Sequence, residues 1–252
     1  MAGASDIEWT DATWNPISGC KIASPGCTNC YAMRMAARLQ AMDHPAYFGV
    51  TRVSGGRPKW TGAIHTNDAA LELPLRWRAP RKVFVNSMSD LFQDGVPNAF
   101  VERIWGVMAQ ARQHIFQILT KRPENMRRVI ASAKLGTLPN VWLGVSVESS
   151  AYRHRILELR GIPAAVRFVS FEPLIGGIGR VNLEGVHWAI VGGESGPSAR
   201  PMKECWVDNV ANECERQGVA FFFKQWGGVQ KKKAGRMYRN RIWDAYPNTT
   251  AA

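Results

Sequence analysis

The 252-residue chain sets 32 Lys and Arg against 20 Asp and Glu, a formal charge of +12, which favours a polyanionic partner, nucleic acid first, over a merely solubilising surface. Its five cysteines are odd in number and unevenly spaced, which argues against a disulfide scaffold and for a reducing compartment. No apolar run nears the roughly 18 residues needed to cross a bilayer. The opening Met1-Ala2-Gly3-Ala4-Ser5-Asp6 lacks the basic start and apolar stretch of a signal peptide, so a soluble cytoplasmic protein is expected, with no membrane partner.

In chain order, the first expected element is a strand at 12–16, weakened by Pro16. It runs into a loop that places Cys20, Cys27 and Cys30 within eleven residues, followed by a helix at 31–42. The Pro and Gly of Lys21-Ile22-Ala23-Ser24-Pro25-Gly26 let the loop fold back, so that three sulfurs can converge on one point. A closed structural zinc site usually has four protein ligands, whereas a working metal centre keeps a position open. Three clustered thiols with no fourth nearby fit the second case, and a four-iron four-sulfur cluster so held has one iron free. The alternative is a non-catalytic, nucleic-acid-binding protein whose tetrahedral zinc site is completed by Cys205, Cys214, His44 or His65.

From residue 60 onward, β-rich runs at 61–66, 82–86, 115–119, 141–147, 166–171, 187–191 and 219–223 alternate with amphipathic runs. Helices are expected at 69–77, weakened by Pro74, and at 99–113, 123–133, 151–159 and 203–217. With the strand at 12–16 the count reaches the eight that close a barrel. The fold class is therefore α/β, a parallel (βα) barrel of TIM type, complete or partial. The connection from 171 to 187 is too rich in Gly and Pro for a long helix. Residues 1–226 form the barrel domain; 227–252 read as a basic C-terminal appendage with frayed last residues.

Nearly every expected strand ends in polar residues able to do chemistry. Asn86-Ser87-Met88-Ser89-Asp90 ends one, Thr120-Lys121-Arg122 the next, then Ser146-Val147-Glu148 and Ser170-Phe171-Glu172-Pro173. Gly192-Gly193-Glu194-Ser195-Gly196 and Lys224-Gln225-Trp226 end the last two. In parallel α/β folds ligands bind at the carboxyl ends of the strands, so these residues and the cysteine loop would share one rim. Glu148 and Glu172 can pair there with Lys121 and Lys224 or with a bound ligand. Basic residues mixed with aromatics, as in Arg76-Trp77-Arg78 and in the 231–243 stretch with Tyr238 and Trp243, suit phosphate contact and base stacking. His114 and His187 begin strands, away from the rim, and read as structural.

The cysteine segment, the alternating β/α body and the Gly-Gly-Glu turn resemble the radical S-adenosylmethionine superfamily. More narrowly, Ile7-Glu8-Trp9-Thr10-Asp11-Ala12-Thr13-Trp14-Asn15-Pro16, Gly19-Cys20, Pro25-Gly26-Cys27 and Cys30-Tyr31-Ala32 are similar to a phage- and bacteria-associated three-cysteine-motif family. Val145-Ser146-Val147-Glu148, Ser170-Phe171-Glu172-Pro173-Leu174, Gly192-Gly193-Glu194-Ser195-Gly196 and Phe223-Lys224-Gln225-Trp226-Gly227 carry the resemblance onward, to about Trp243.

That resemblance implies a [4Fe-4S] cluster on Cys20, Cys27 and Cys30, with S-adenosyl-L-methionine chelating the free iron. Reductive cleavage would yield a 5′-deoxyadenosyl radical that takes a hydrogen atom from a nucleic acid or nucleotide-derived substrate, in repair or modification. It also implies a phage or prophage origin and cofactor contacts from Gly192, Gly193 and Glu194, beside which Tyr31 and the strand-end residues Ser146, Glu148 and Glu172 are candidate cofactor contacts. Tyr31 stands in for the aromatic that usually precedes the third cysteine, where this chain has Asn29. Six residues separate Cys20 from Cys27, more than the superfamily's common three, and the Gly-Gly-Glu turn comes late in the strand order. No catalytic residue, reductant or oligomeric state is indicated.

Overall fold

A computed structural model describes residues 2–248. The chain begins with β1 (Ala2–Ala4) antiparallel to β2 (Ala12–Trp14), and β3 (Ile17–Ser18) leads into the cysteine loop. Helix α1 (Tyr31–Ala41), the hairpin β4 (Thr51–Ser54) and β5 (Arg57–Trp60), and the short β6 (His65–Thr66) follow. After α2 (Asp68–Leu71) the body alternates: β7 (Lys82–Val85), α3 (Asn98–Gln110), β8 (Ile115–Thr120), α4 (Pro123–Ser132), β9 (Val141–Ser146), α5 (His154–Arg160) and β10 (Val166–Phe171). Then come β11 (Trp188–Gly192), α6 (Glu204–Gln217), β12 (Ala220–Gln225) and α7 (Lys231–Ala234).

Seven strands, in the order β2-β7-β8-β9-β10-β11-β12, are parallel neighbours, and β1 adds an antiparallel edge. The sheet curls into an open half-barrel and does not close. The strand expected at 61–66 does not join it. Gly62 sits at a φ of +91°, which breaks the extended run, and only His65–Thr66 pairs, with β3 in a separate ribbon. The helix expected at 69–77 is likewise split. It ends at Leu71 and resumes as a 3-10 turn over Leu73–Arg76, because Pro74 has no N–H to continue the ladder. As the Gly- and Pro-rich sequence predicts, no helix intervenes between β10 and β11.

Period-two alternation sorts the strand residues into two cores. Val83 and Val85, Leu143 and Val145, and Phe221 and Phe223 face the helices in one large cluster. Phe84, Trp142, Phe168, Trp188, Ile190 and Phe222 face the concave side in another. Burial on both faces is why these strands read as nearly continuous apolar runs. The concave side is filled from both chain ends. Trp9 lies 4.7 Å from Phe84 and 6.2 Å from Trp188, and Tyr246 stacks on Trp188 at 5.0 Å. Packed aromatics thus fill the interior below the carboxyl ends of the strands.

The segment expected to be an appendage is, through Tyr246, packed against β12. The Phe223 N–H donates to the Trp243 carbonyl at 2.8 Å, and the Trp188 indole to the Ala245 carbonyl at 2.8 Å. Tyr238 is 1% exposed, with its hydroxyl donating to Asp208 of α6 at 2.6 Å. Arg239 pairs with Asp208, and the Arg241 guanidinium lies 3.3 Å from the Trp243 ring centroid. The basic–aromatic mixture here is in part an internal cation–π arrangement. The frayed end expected beyond Asn248 lies outside the described residues. No helix among the described residues is long and apolar enough to cross a membrane.

Candidate functional site

Continuing the alternation two residues past the inward aromatics puts polar groups at the strand ends. Asn86 follows Phe84, Ser170 follows Phe168, and Lys224 follows Phe222. With Lys121, Ser146 and Glu172 they line a cavity of about 550 Å³ whose floor includes Trp9, Phe84 and Leu119. Cys20, Cys27 and Cys30 line the same cavity, as does Tyr31 at the start of α1. The sequence expectation of one rim is met in space: the loop before α1 and the ends of six strands share one hollow.

The cysteine loop is fastened at several points. Near Cys20, the Lys21 N–H donates to Gln93 Oε1 at 2.6 Å, and its carbonyl accepts from Arg122 Nη2 at 2.7 Å. Arg122 is itself held by Asp90 at 2.7 Å. In the middle, the Ser24 hydroxyl donates to Glu148, and Gly26 lies so close that a Cβ there would stand 2.5 Å from the Glu148 side chain. Further on, Arg200 Nη2 donates to the Pro25 carbonyl at 3.0 Å, while Asn29 Nδ2 donates to Glu194 Oε2 at 2.9 Å. Arg34 of α1 reaches the carbonyls of Ser195 and Pro197.

The predicted cofactor contacts therefore divide. Glu148 is wholly buried beneath the loop, between Lys121 at 3.3 Å and Arg155 at 2.9 Å, and is a strut rather than part of the cavity wall. Glu172 lines the cavity, with Oε1 2.9 Å from Lys224 and Oε2 accepting from Ser170 at 3.0 Å. Glu194 lines it too but is bound at both oxygens by Arg200 and Asn29. Burial pushes the Glu194 carboxyl up, yet those hydrogen bonds outweigh it and hold the group below the usual carboxylate range. Gly193 lets the Trp226 carbonyl pass where a Cβ would stand, 2.0 Å from it, and a Cβ at Gly192 would meet Glu172 at 2.6 Å. Ser146 lines the cavity and its carbonyl accepts from Arg155 at 2.8 Å, while the Tyr31 hydroxyl donates to the Ser87 carbonyl at 2.8 Å.

The three thiols do not close on one point as tightly as the loop's sequence predicts. Among the described residues no three or more His, Cys, Asp or Glu side chains are arranged to hold a single metal ion. They are nonetheless near enough for Cys27 and Cys30 each to raise the Cys20 thiol. Each cysteine of an iron–sulfur cluster binds a different iron, which asks for a wider spacing than one ion does. The zinc alternative loses its fourth ligand: Cys205 is exposed on α6, Cys214 is buried in the helix-side core, and neither His44 nor His65 lines the cavity. His44 instead accepts from the Ala46 N–H, and His65 Nε2 lies 2.7 Å from the Phe48 carbonyl.

Burial, then the Asp90 carboxylate, pushes the Cys20 thiol up to about 12. Cys30 is also raised by burial, although the N–H groups of Ala32 and Met33 at the start of α1 favour its thiolate. A raised thiol stabilises the fold only while protonated, so this contribution is whole below the unfolded value of 9.0 and fades as pH climbs toward 12. In metal-free protein, alkylation of Cys20 at pH 8 is expected to lag well behind that of the exposed Cys205. Its rate should rise about tenfold per pH unit, as mass spectrometry of the labelled peptides would record.

A family model matches nearly the whole chain. The chain belongs to the DUF5131 family. That family is described as "Protein of unknown function (DUF5131)" and matches residues 4–247, from β1 through the C-terminal segment packed on β12. No curated protein and no solved structure matches the chain.

Several residues that build the site escape sequence reasoning. Arg200 fastens the loop from a coil segment that carries no periodic signal, and Asp90, visible as a polar strand end, gives no sign in sequence that it holds Arg122. Arg155 sits on α5, seven residues beyond Glu148, and only the turn of the chain after β9 brings it back. Asn86 and Gln225 are visible as polar strand ends, but nothing in their spacing marks them as buried.

Proposed function

We propose that this chain is a radical S-adenosylmethionine enzyme whose [4Fe-4S] cluster is held by Cys20, Cys27 and Cys30, and that it acts on nucleic acid or a nucleotide-derived substrate. The observation that carries the reading is the loop itself: three thiols fixed over the carboxyl ends of parallel strands, lining one cavity of about 550 Å³. The donor set fits such a cluster. All three side chains are soft thiols from one loop, and cysteines supply the protein ligands that iron–sulfur clusters ordinarily use.

When bound, the cluster and S-adenosylmethionine would supply one-electron cleavage of a sulfonium and a carbon radical able to abstract hydrogen. The chain's own residues serve other ends. The Trp9 and Phe84 floor excludes water from the base of the cavity. Lys121, 19% exposed in its side chain and paired to Glu148, supplies positive charge at the wall beside the thiols. The Glu172–Lys224 pair offers a carboxylate and an ammonium to the polar groups of a ligand.

The test is anaerobic purification and reconstitution, followed by iron and sulfide analysis and electron paramagnetic resonance with and without S-adenosylmethionine. About four irons per chain, a spectrum that changes on adding S-adenosylmethionine, and 5′-deoxyadenosine released on reduction are expected. Stoichiometric zinc without iron, or no 5′-deoxyadenosine from iron-loaded protein, would overturn the reading.

A further inference from the structure

Asn86 directly follows β7 at a φ of +61°, a region that residues other than glycine seldom occupy, although asparagine tolerates it better than most. It is 3% exposed, and neither the oxygen nor the nitrogen of its carboxamide has a hydrogen-bond partner among the described residues. A buried amide unpaired at both atoms destabilises the fold, and the backbone strain adds to that. Both features sit at the cavity wall, on the inward face that Asn86 shares with Phe84. Gln225, also lining the cavity, leaves its Oε1 unpartnered while its Nε2 donates to Ser195 Oγ. The indole N–H of Trp9 on the floor is unpartnered as well.

A carboxamide with donor and acceptor both free matches the paired donor and acceptor on the edge of a nucleobase, as in the two-point contact of asparagine with adenine. Trp9 and Phe84, 2% and 8% exposed and packed on one another, line the cavity below it and give a base an apolar floor. The surroundings suit a phosphate chain. Between Ala12 and Asn67 the sequence holds six cations, Lys21, Arg34, Arg38, Arg52, Arg57 and Lys59, and one acid, Asp43. The β4–β5 hairpin sets Arg52 directly across from Lys59, with Arg57 on the same face. Like charges so opposed disfavour a hairpin on its own, and none of the three has an ion-pair partner among the described residues. Trp60, at the foot of that hairpin, lines the cavity.

We infer that the cavity takes up one base of a single-stranded nucleic acid, with Asn86 and Gln225 contacting the base edge and the β4–β5 hairpin holding the adjoining phosphates. A base inside a duplex is stacked and out of reach unless flipped. The inference rests on the proposed function for the identity of the polymer, and deepens it by naming the form that enters the site. Base binding itself requires no radical chemistry.

The test uses anaerobically prepared full-length protein and fluorescence anisotropy with short labelled single strands of DNA and RNA, the same strands with abasic sites, and the matching duplex. Asn86→Gly, which relieves the strained backbone, is expected to weaken binding of the base-bearing strand about tenfold. It should leave the abasic strand unaffected and the melting temperature undiminished. Arg52→Glu with Arg57→Glu is expected to weaken both strands alike and to flatten the salt dependence. Equal binding of base-bearing and abasic strands, equal binding by Asn86→Gly and the unaltered chain, or preference for the duplex would each overturn the inference. So would dependence on Asn86 for free adenosine but not for the strand. Failure to assemble a cluster would count against the proposed function alone, and loss of the Asn86 effect in iron-loaded protein against this inference alone.

Discussion

Replacing Glu148 by alanine is expected to destabilise the protein by about 3–5 kcal/mol, the range measured when one partner of a buried ion pair is removed. For a chain of this size that corresponds to a melting temperature lower by roughly 6–20 °C. Glu148 is wholly buried and meets Arg155 at 2.9 Å, Lys121 at 3.3 Å and the Ser24 hydroxyl. Its loss leaves the Arg155 guanidinium, only 4% exposed in its side chain, facing an empty space with its charge uncompensated. It also removes the surface on which Gly26 rests. The cysteine loop should therefore loosen even where the sheet stays folded. Denaturant titration measures the first effect, and proteolysis or thiol labelling within 21–30 measures the second. Glu148→Gln keeps the shape and one hydrogen bond to Arg155, so its cost should be smaller. A loop as protected in Glu148→Ala as in the unaltered chain would mean that Arg122 and Arg200 suffice to hold it, and that Glu148 is not its strut.

The half-barrel was legible because its strands are buried on both faces. Runs such as Val83-Phe84-Val85 and Phe221-Phe222-Phe223 leave few other readings, and the polar residue after each marks where the strand leaves the core. Closure was not legible. The count of eight strands included 61–66, and a single glycine at positive φ turns that segment out of the sheet. The C-terminal stretch misled for a different reason. Arg beside Trp or Tyr has the same composition whether it stacks on a base or, as with Arg241 on Trp243, on its own neighbour. Pairs such as Lys121 with Glu148 and Lys224 with Glu172 could be anticipated from their places at strand ends. The pairing of Arg200 with Glu194 could not, because both lie in coil, six residues apart. Asn86 was visible as a polar strand end but its strain was not, because a positive φ at a non-glycine residue leaves no trace in sequence.

Alanine at Cys20, Cys27 or Cys30 is expected to separate the site from the fold. Each thiol is partly exposed and outside the two large cores, and Cys20 and Cys30 only flank a smaller cluster around Met33 and Trp60, so each single replacement should cost no more than about 1 kcal/mol. Iron content and 5′-deoxyadenosine release should nevertheless fall to the level of the cluster-free protein, because a cluster deprived of one of three ligands is held by two. Cys214 reverses the pattern. It is 1% exposed within the helix-side core, so Cys214→Ala opens a small cavity and should cost about 1 kcal/mol while iron is retained. Cys205→Ala, at an exposed position, should change neither property. Across these five variants iron loss should follow the three loop cysteines alone, whatever each replacement does to stability in denaturant unfolding. If the cysteines of the loop were buried structural thiols, all three replacements would lower stability as Cys214→Ala does, and none would alter iron. If the thiols instead gripped zinc, metal and stability would be lost together, since a structural site contributes folding energy directly. Only a cluster seated on an already fastened loop predicts that iron disappears while the melting curve stays in place, and the fastening is visible in the contacts of Lys21, Ser24, Pro25 and Asn29 with the segments that follow β7, β8, β9 and β11.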